Sequence, residues 1–379
     1  MERIAAEGSI AARSSGIRFA VAGPADDADL RALLRANPMG GWVTVAMERE
    51  PSYFAELARG EEHQAIIARD GATGECVGMC ARSVRDAYID GTVQPLGYIG
   101  ELRIAPKYRH RFRIIREGFA ALRAALHEPQ RTPFYLTAIV ADNRSARRLL
   151  ESEIPGKPTY RPFAAYRTLA IRVPRRSRRG DPDHGTDADI PAIAACLARN
   201  HARHQLAPAW SEADLRAAGP SSGLEARNFV VRRSSAGISG CLGVWDQSRV
   251  RQTVVQGYHP RIARLRPLLN MLGTVGGLPR LPPRGQALRQ VFLSPAAVDG
   301  DDASGLVDLV RSGLVAASRR GFDIALIGLA ETNPMLSALR KAFRAREYPS
   351  QLYLVHWEDG RHRVDALDAR TPHVEACFL

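Results

Sequence analysis

The sequence predicts an α/β protein in which two mixed-sheet halves, built on one template, follow one another with helices on both sheet faces. Three observations lead there. Short β-like apolar runs alternate with runs at helical spacing. A basic, breaker-rich stretch divides the chain near its middle, and the order of elements restarts after it. The 379 residues suit two domains of about 100–200 residues each, and 45% hydrophobic with 25% charged residues is ordinary globular composition.

The elements of the first half follow in order. Residues 1–16 are small and polar and are expected to form an N-terminal tail. Ile17–Ala22 is a short apolar strand closed by Gly23-Pro24. Asp26, Asp27 and Asp29 then precede Leu30, Leu33 and Leu34. Acidic residues in a first turn, with apolar spacing of three and four, predict a helix. Gln64–Arg69 and Cys76–Arg82 read as paired strands around the glycine-bearing turn 70–74. Tyr98–Ile104 is a further strand, stopped by Pro106. Ile115, Phe119, Leu122 and Leu126 mark a helix over Phe112–Leu126, Phe134–Val140 a strand, Asp142–Leu150 a helix and Ala165–Val173 a last strand.

The predicted first domain is therefore 17–172. A linker follows at 173–186, containing Pro174-Arg175-Arg176-Ser177-Arg178-Arg179-Gly180, and a second domain spans 187–379. In the second domain Asp187-Ala188-Asp189 repeats Asp27-Ala28-Asp29, and 229–232 with 240–245 repeat the paired strands. Pro106 and Pro295, Asn143 and Asn333, and Tyr160 and Tyr348 all stand about 190 residues apart. Both asparagines are expected helix N-caps. At that spacing Glu101 falls on Gln290, an amide that cannot take up a proton. The copies differ most at Arg261–Gly285, a leucine-bearing insertion that could serve as a lid, a membrane patch or an interface.

Composition bounds the function. No apolar run approaches the roughly 20 residues of a membrane span, and the N-terminal stretch lacks a signal-peptide core, so a cytoplasmic protein is expected. Five scattered cysteines form no disulfide framework. Cys76 and Cys80, four apart on one strand, are expected on the same face. The formal charge is +13, almost all of it arginine. The arginines are spread through every segment, without the interleaved aromatics of a nucleic-acid face. His201 and His204 could suggest a metal pair, but no ligand cluster stands near them in sequence, and no metal is expected.

The stretch Tyr98-Ile99-Gly100-Glu101-Leu102-Arg103-Ile104-Ala105-Pro106-Lys107-Tyr108-Arg109, with Asp142-Asn143-Arg144-Ser145-Ala146, resembles the fourth strand, cofactor loop and later helix of the GNAT (GCN5-related) N-acyltransferases. The likeness covers roughly 17–172 and, more faintly, 187–379. It implies two GNAT-like domains in tandem, and an enzyme that takes acetyl-CoA or another acyl-CoA as co-substrate and passes the acyl group directly to a primary amine of a small molecule or peptide. By the same resemblance, Glu101 is the general base. Leu102, Arg103 and Ile104 line the pantetheine arm, with a backbone N–H for the thioester oxygen. Arg109, His110, Arg111, Arg113 and Ile114 form the pyrophosphate loop, and Asn143 contacts the cofactor arm.

Two departures from the family's pattern stand out. The loop carries arginines and Phe112 where the family has glycines. Leu150 stands near the place of the usual general-acid tyrosine, which leaves Tyr160 or Tyr166 to substitute. In the second copy the loop Ser294–Asp302 has three aspartates and no cation, which repels a pyrophosphate. That copy is expected to be a degenerate partner that packs, shapes a cleft or makes a homodimer. The alternative is that both copies are non-catalytic and serve as a ligand-sensing or assembly module.

Overall fold

The structure is a computed structural model that describes residues 16–55, 62–109, 111–125, 132–175, 180–276 and 281–379. The expected N-terminal tail lies, but for Gly16, outside the described residues, as do His110 and residues 176–179 of the linker.

The first half contains β1 (Ile17–Val21), α1 (Asp27–Arg35), β2 (Val43–Glu48), β3 (Glu62–Asp70), β4 (Cys76–Ile89), β5 (Thr92–Ile104), α2 (Phe112–Ala124), β6 (Tyr135–Val140), α3 (Arg144–Glu151) and β7 (Thr159–Arg172). The second contains α4 (Ile190–His201), β8 (Ala207–Pro208), α5 (Glu212–Ser222), β9 (Phe229–Ser234), β10 (Gly237–Trp245), β11 (Gln252–Tyr258), α6 (Pro260–Gly276), β12 (Gln290–Val298), α7 (Ala303–Arg319), β13 (Ile324–Ala330), α8 (Met335–Ala342), β14 (Ala345–His356) and α9 (Arg361–Asp365). Expected strands and helices are found in the expected order. β4 and β5 run further than their apolar cores suggest, because they continue as one long hairpin. Asp90 and Gly91, at φ 52° and 80°, turn it, which is the left-handed pair a two-residue hairpin needs.

Eleven strands run in the order β1-β3-β4-β5-β6-β14-β7-β13-β12-β10-β9, with β8 added beside β4. The last strand of each half has crossed into the other. β14 lies antiparallel between β6 and β7, and β7 antiparallel between β14 and β13. The boundary at 173–186 thus separates the halves in sequence order but not in the sheet. A second, two-stranded sheet of β2 and β11 also ties the halves together, from Gln252 opposite Glu48 to Tyr258 opposite Val43.

Helices cover both faces. On one face of the first half α1 buries Leu30, Leu33 and Leu34 against Tyr53, Ile67, Met79 and Ala81. On the other, α2 buries Ile114, Ile115, Phe119 and Leu122 against Phe19, Ile66, Val77 and Ile99. The second half repeats this with α7 and α8 on one side and α4 on the other. No described helix is long and apolar enough to cross a membrane.

The structure corrects the expectation for Cys76 and Cys80. Between β3 and β4 the register passes from Ala68 opposite Gly78 to Arg69 opposite Cys76, so Val77 is an extra residue. A bulge of this kind breaks the two-residue alternation. Cys80 packs on the α2 face and Cys76 on the α1 face. Both thiols are free, and burial pushes them up, Cys76 to about 11 and Cys80 to about 12. The insertion is mostly helix α6, whose Leu265, Leu268 and Met271 are exposed.

Candidate functional site

β5 holds the site because it separates from its neighbour. It pairs with parallel β6 only at Gly97–Tyr135 and Tyr98–Leu136, although both strands continue. β6 stays fully paired on its far side with β14. Beyond Tyr98 a wedge therefore opens between β5 and β6, and strand backbone that would otherwise be laddered can meet a ligand. Tyr98 lies along this wedge. Its ring covers Gly100, where a Cβ would come within 2.7 Å of it, and its phenol stands beside Thr137 and Ala138 of β6.

At the same point β5 bulges on its other edge. Gly100 to Arg103 of β5 faces only Ala81 to Met79 of β4, which leaves one residue extra. Glu101, at φ 53°, is in the left-handed region that a non-glycine residue adopts only at a cost of about 1–3 kcal/mol. The kink turns its carboxylate toward the α1 face, into a set of groups supplied from elsewhere in the chain. Arg49, just after β2, donates from Nε to Oε1 at 2.8 Å. Tyr53 donates its hydroxyl to Oε2 at 2.6 Å, and His63 Nε2 is 3.2 Å from that hydroxyl. The Arg49 guanidinium also stacks over the Tyr53 ring, 4.9 Å from its centroid. Burial by itself raises the Glu101 carboxyl, but Arg49, Arg251 and the Tyr53 hydroxyl outweigh it and bring it to about 2. Burial and the neighbouring carboxylate push the Tyr53 phenol well above its ordinary value, so it remains the donor. The ion-pair partner of Glu101 is thus Arg49, not the adjacent Arg103. Burial lowers the Arg103 guanidinium, which donates to the Leu102 carbonyl at 3.1 Å.

The expected cofactor loop has found another path, as its missing glycines require. Pro106–Tyr108 forms a single 3-10 turn. The N–H groups of Tyr108, Arg109 and Arg111 donate to the carbonyls of Ala105, Pro106 and Tyr108. They are spent within the loop, where the glycine-rich version would aim them at phosphate. Arg109 reaches back, donating to the Asn37 amide oxygen at 2.8 Å and to the Ile104 carbonyl at 3.3 Å. Arg111 lies over the Tyr108 ring at 4.9 Å with its guanidinium exposed, and Arg113 is exposed beside it. Ile114 is buried core. With Leu102 and Ile104 it lines an apolar cavity bounded by Phe19, Ile66 and Phe119. Asn143 is the N-cap of α3 as expected, accepting the Ala146 N–H at 3.1 Å.

Tyr160 does not join this group. It is 6% exposed, packed edge-on between Phe119 and Tyr353 on the α2 face, and burial pushes its phenol far up. Tyr166 is fully buried and donates to the Val374 carbonyl at 2.6 Å. The tyrosines that sequence reasoning missed, Tyr53 and Tyr98, are the ones at the bulge and the wedge. Arg49, His63 and Arg251 were missed with them. Tyr98 stands in the quoted strand but was given no role, and the others lie in no motif, since they reach Glu101 through the folding of other segments.

The second half repeats the backbone device. β12 pairs with β13 only from Gln290 to Phe292. Its stretch Leu293 to Ala296 faces only Val244 to Leu242 of β10. The residue at the place of Glu101 is therefore Ser294, and the expectation of Gln290 is corrected. Gln290 lies before the bulge and donates to the Thr253 hydroxyl. The four-residue error arose because Pro106 follows its bulge, whereas Pro295 lies within its own.

The chain therefore has a GNAT-like fold, with two such domains in tandem. The arrangement of the two halves resembles that of N-myristoyltransferase. The Saccharomyces cerevisiae enzyme with bound myristoyl-CoA matches over 93% of this chain and 84% of its own, with a TM-score of 0.59 at 12% identity. A second structure of that enzyme with myristoyl-CoA matches over 93% and 89%, with a TM-score of 0.58 at 11% identity. A GCN5-related N-acetyltransferase from Sphaerobacter thermophilus matches over 90% and 96%, with a TM-score of 0.49 at 11% identity. No protein-family model matches the chain, and no curated protein matches it by sequence.

Proposed function

We propose that the chain is an acyl-CoA-dependent N-acyltransferase that passes its acyl group directly to a primary amine. The observation that carries this reading is the coincidence, at one point of β5, of a strand wedge and a bulge that presents an ionised carboxylate. The thioester would enter the wedge along Leu102, Arg103 and Ile104. A backbone N–H there would stabilise the oxyanion that forms when the amine attacks the carbonyl carbon. Glu101, held at about 2, stays ionised through the physiological range. It anchors the incoming amine, which gives up one proton to water to become the neutral nucleophile, and then takes a second proton, directly or through water, as the C–N bond forms and the nitrogen grows more acidic. The coenzyme A thiolate leaves with a modest pKa of its own. Tyr98, lying along the wedge, replaces Tyr160 as the nearest phenol that could protonate it.

Arg111 and Arg113, exposed beside the loop, are the phosphate contacts. Arg109 contributes only if it leaves Asn37, and Asn143 contacts the cofactor arm at no cost to its capping. The acyl group is acetyl or longer. The apolar cavity under Leu102, Ile104 and Ile114 has room for about one water, and the precedent for a longer chain is the yeast enzyme's myristoyl-CoA. A second reading, a non-catalytic ligand-binding module, is favoured by the inward-turned N–H groups of the loop.

Isothermal titration with acetyl-, octanoyl- and myristoyl-CoA separates the two roles when paired with a turnover assay on a panel of amines. Saturable binding with turnover supports the enzyme, and binding without turnover of any amine supports the module. Absence of heat with every acyl-CoA up to millimolar concentration sinks both.

A further inference from the structure

His201 ends α4, and its histidine neighbour in sequence, His204, holds Asp301, 3.1 Å from its Nε2, with its ring 5.4 Å from that of His373. The partners of His201 come instead from the far end of the chain. Residues 366–379 return across α4, held by the N–H of His373 on the Gln205 carbonyl. This brings His373 and Glu375 against His201. The Nε2 atoms of His201 and His373 each stand 3.9 Å from one oxygen, Oε1 of Glu375. The three atoms lie within 4.8 Å of one another, and their residues are 1%, 9% and 4% exposed.

What the other atoms of these side chains do decides the reading. His201 Nδ1 is 2.8 Å from the Pro208 carbonyl oxygen, closer than its Nε2 is to that of Ala296 at 3.1 Å. A proton on Nδ1 gives Pro208 its hydrogen bond, and metal-binding histidines are oriented in this way. It leaves the Nε2 lone pair between the Ala296 carbonyl at 3.1 Å and Glu375 Oε1 at 3.9 Å, so the ring must turn from the carbonyl toward Glu375 to take an ion. Glu375 Oε2 accepts the Ser294 hydroxyl at 2.6 Å. Glu375 Oε1 and His373 Nε2, both buried, have no hydrogen-bond partner, a condition that costs about 1–3 kcal/mol per group unless something else satisfies them. They also line a cavity walled by Leu293, Leu326 and Met335.

We propose that His201, His373 and Glu375 bind a divalent transition-metal ion, zinc being the best match, with a fourth position open to this cavity. Two imidazoles and one carboxylate, with one open position, are a common zinc set. Ligand atoms around a tetrahedral zinc stand about 3.3 Å apart, so each imidazole must approach the carboxylate from 3.9 Å and the three atoms must draw in from a spread of up to 4.8 Å. The ion would fasten the C-terminal segment to α4 and, through Ser294, to the β12 bulge. That segment carries Phe378, over whose ring the Arg85 guanidinium lies at 3.1 Å, and Leu379, which packs near Tyr98.

The test uses the tag-free, full-length chain. Metal content is measured after dialysis without chelator. A chelator-treated sample is then titrated with zinc and with cobalt(II), following the melting temperature and the visible cobalt absorption. The expected result is roughly one equivalent of zinc per chain, a rise of several degrees in Tm on adding zinc back, and an intense four-coordinate cobalt spectrum lacking a sulfur-to-cobalt charge-transfer band. His373→Ala and Glu375→Gln should each lose that spectrum. Should either variant fail to fold, the wild-type stoichiometry and spectrum decide. Less than about a tenth of an equivalent, with no Tm shift from either ion, overturns the proposal and leaves a buried water bridging the three groups. A sulfur band, or an unchanged spectrum in His373→Ala, overturns the ligand assignment.

Discussion

The two bulges, one in β5 and one in β12, share a backbone and differ in everything attached to it. Each is a single extra residue on the strand that parts from its parallel neighbour, and each is followed by one 3-10 turn and a helix. At the first, Glu101 meets two cationic side chains and a phenol, and the loop beyond is basic. At the second, Ser294 donates to a buried carboxylate, and the loop beyond carries Asp299, Asp301 and Asp302, paired with Arg199, Arg203 and Arg232. Strand splay is thus common to both halves, and the charge at its mouth is not. On the proposed reading an anionic cofactor would be drawn to the first wedge, while the second loop sets its arginines against its own aspartates.

The comparison is broken most directly at its centre. Glu101→Gln should lower kcat by about 100- to 1,000-fold with acyl-CoA affinity nearly unchanged, the range expected for loss of a general base. Asp302→Ala, which removes the N-cap of α7 (its carboxylate accepts the Ser304 N–H at 3.0 Å), should cost about 1 kcal/mol of stability and no turnover. Steady-state kinetics and thermal melts on both variants check this, and a larger kinetic loss in Asp302→Ala would place the chemistry in the wrong half.

A smaller effect is expected from Tyr53→Phe, which removes one donor from the carboxylate. The Glu101 pKa should then climb from about 2 toward its ordinary value of about 4.3. Because the ionised form is the active one, activity is lost as pH falls through that pKa, so the acid limb moves to higher pH. At pH 4 the variant should lose up to about 3-fold of its pH 7 rate, where wild type loses almost none. Superimposable pH–rate profiles would remove Tyr53 from the site. The smallest effect is reserved for the loop: Arg111→Ala should weaken acyl-CoA binding by about 3- to 10-fold, the loss of one exposed charge contact, as read by titration calorimetry. No change would mean that the phosphates lie elsewhere.

Much of the frame was legible because it rests on local rules. Asp27 and Asp29 open α1, Asn143 caps α3, and the turn at 70–74 closes a hairpin, each through contacts within a few residues. Glu101 was singled out by the resemblance of its strand, followed by Pro106 and Arg109, to the GNAT pattern. Its surroundings were hidden because Arg49, Tyr53 and Arg251 lie in segments without a motif. Tyr160 misled because a phenol near the right place in sequence was, in space, part of the aromatic core on the opposite face.

The sequence by itself determined the element order, the twofold restart and a candidate carboxylate, since periodicity, caps and turns act over one or two helical turns. Only the tertiary structure decided the crossing of β7 and β14 between halves, the pairing of Glu101 with Ser294 as equivalent positions, and the meeting of His201 with His373 and Glu375. Each depends on a strand register or a chain return that brings together residues far apart in sequence, and neither a register slip of one residue nor a long-range contact leaves a local trace.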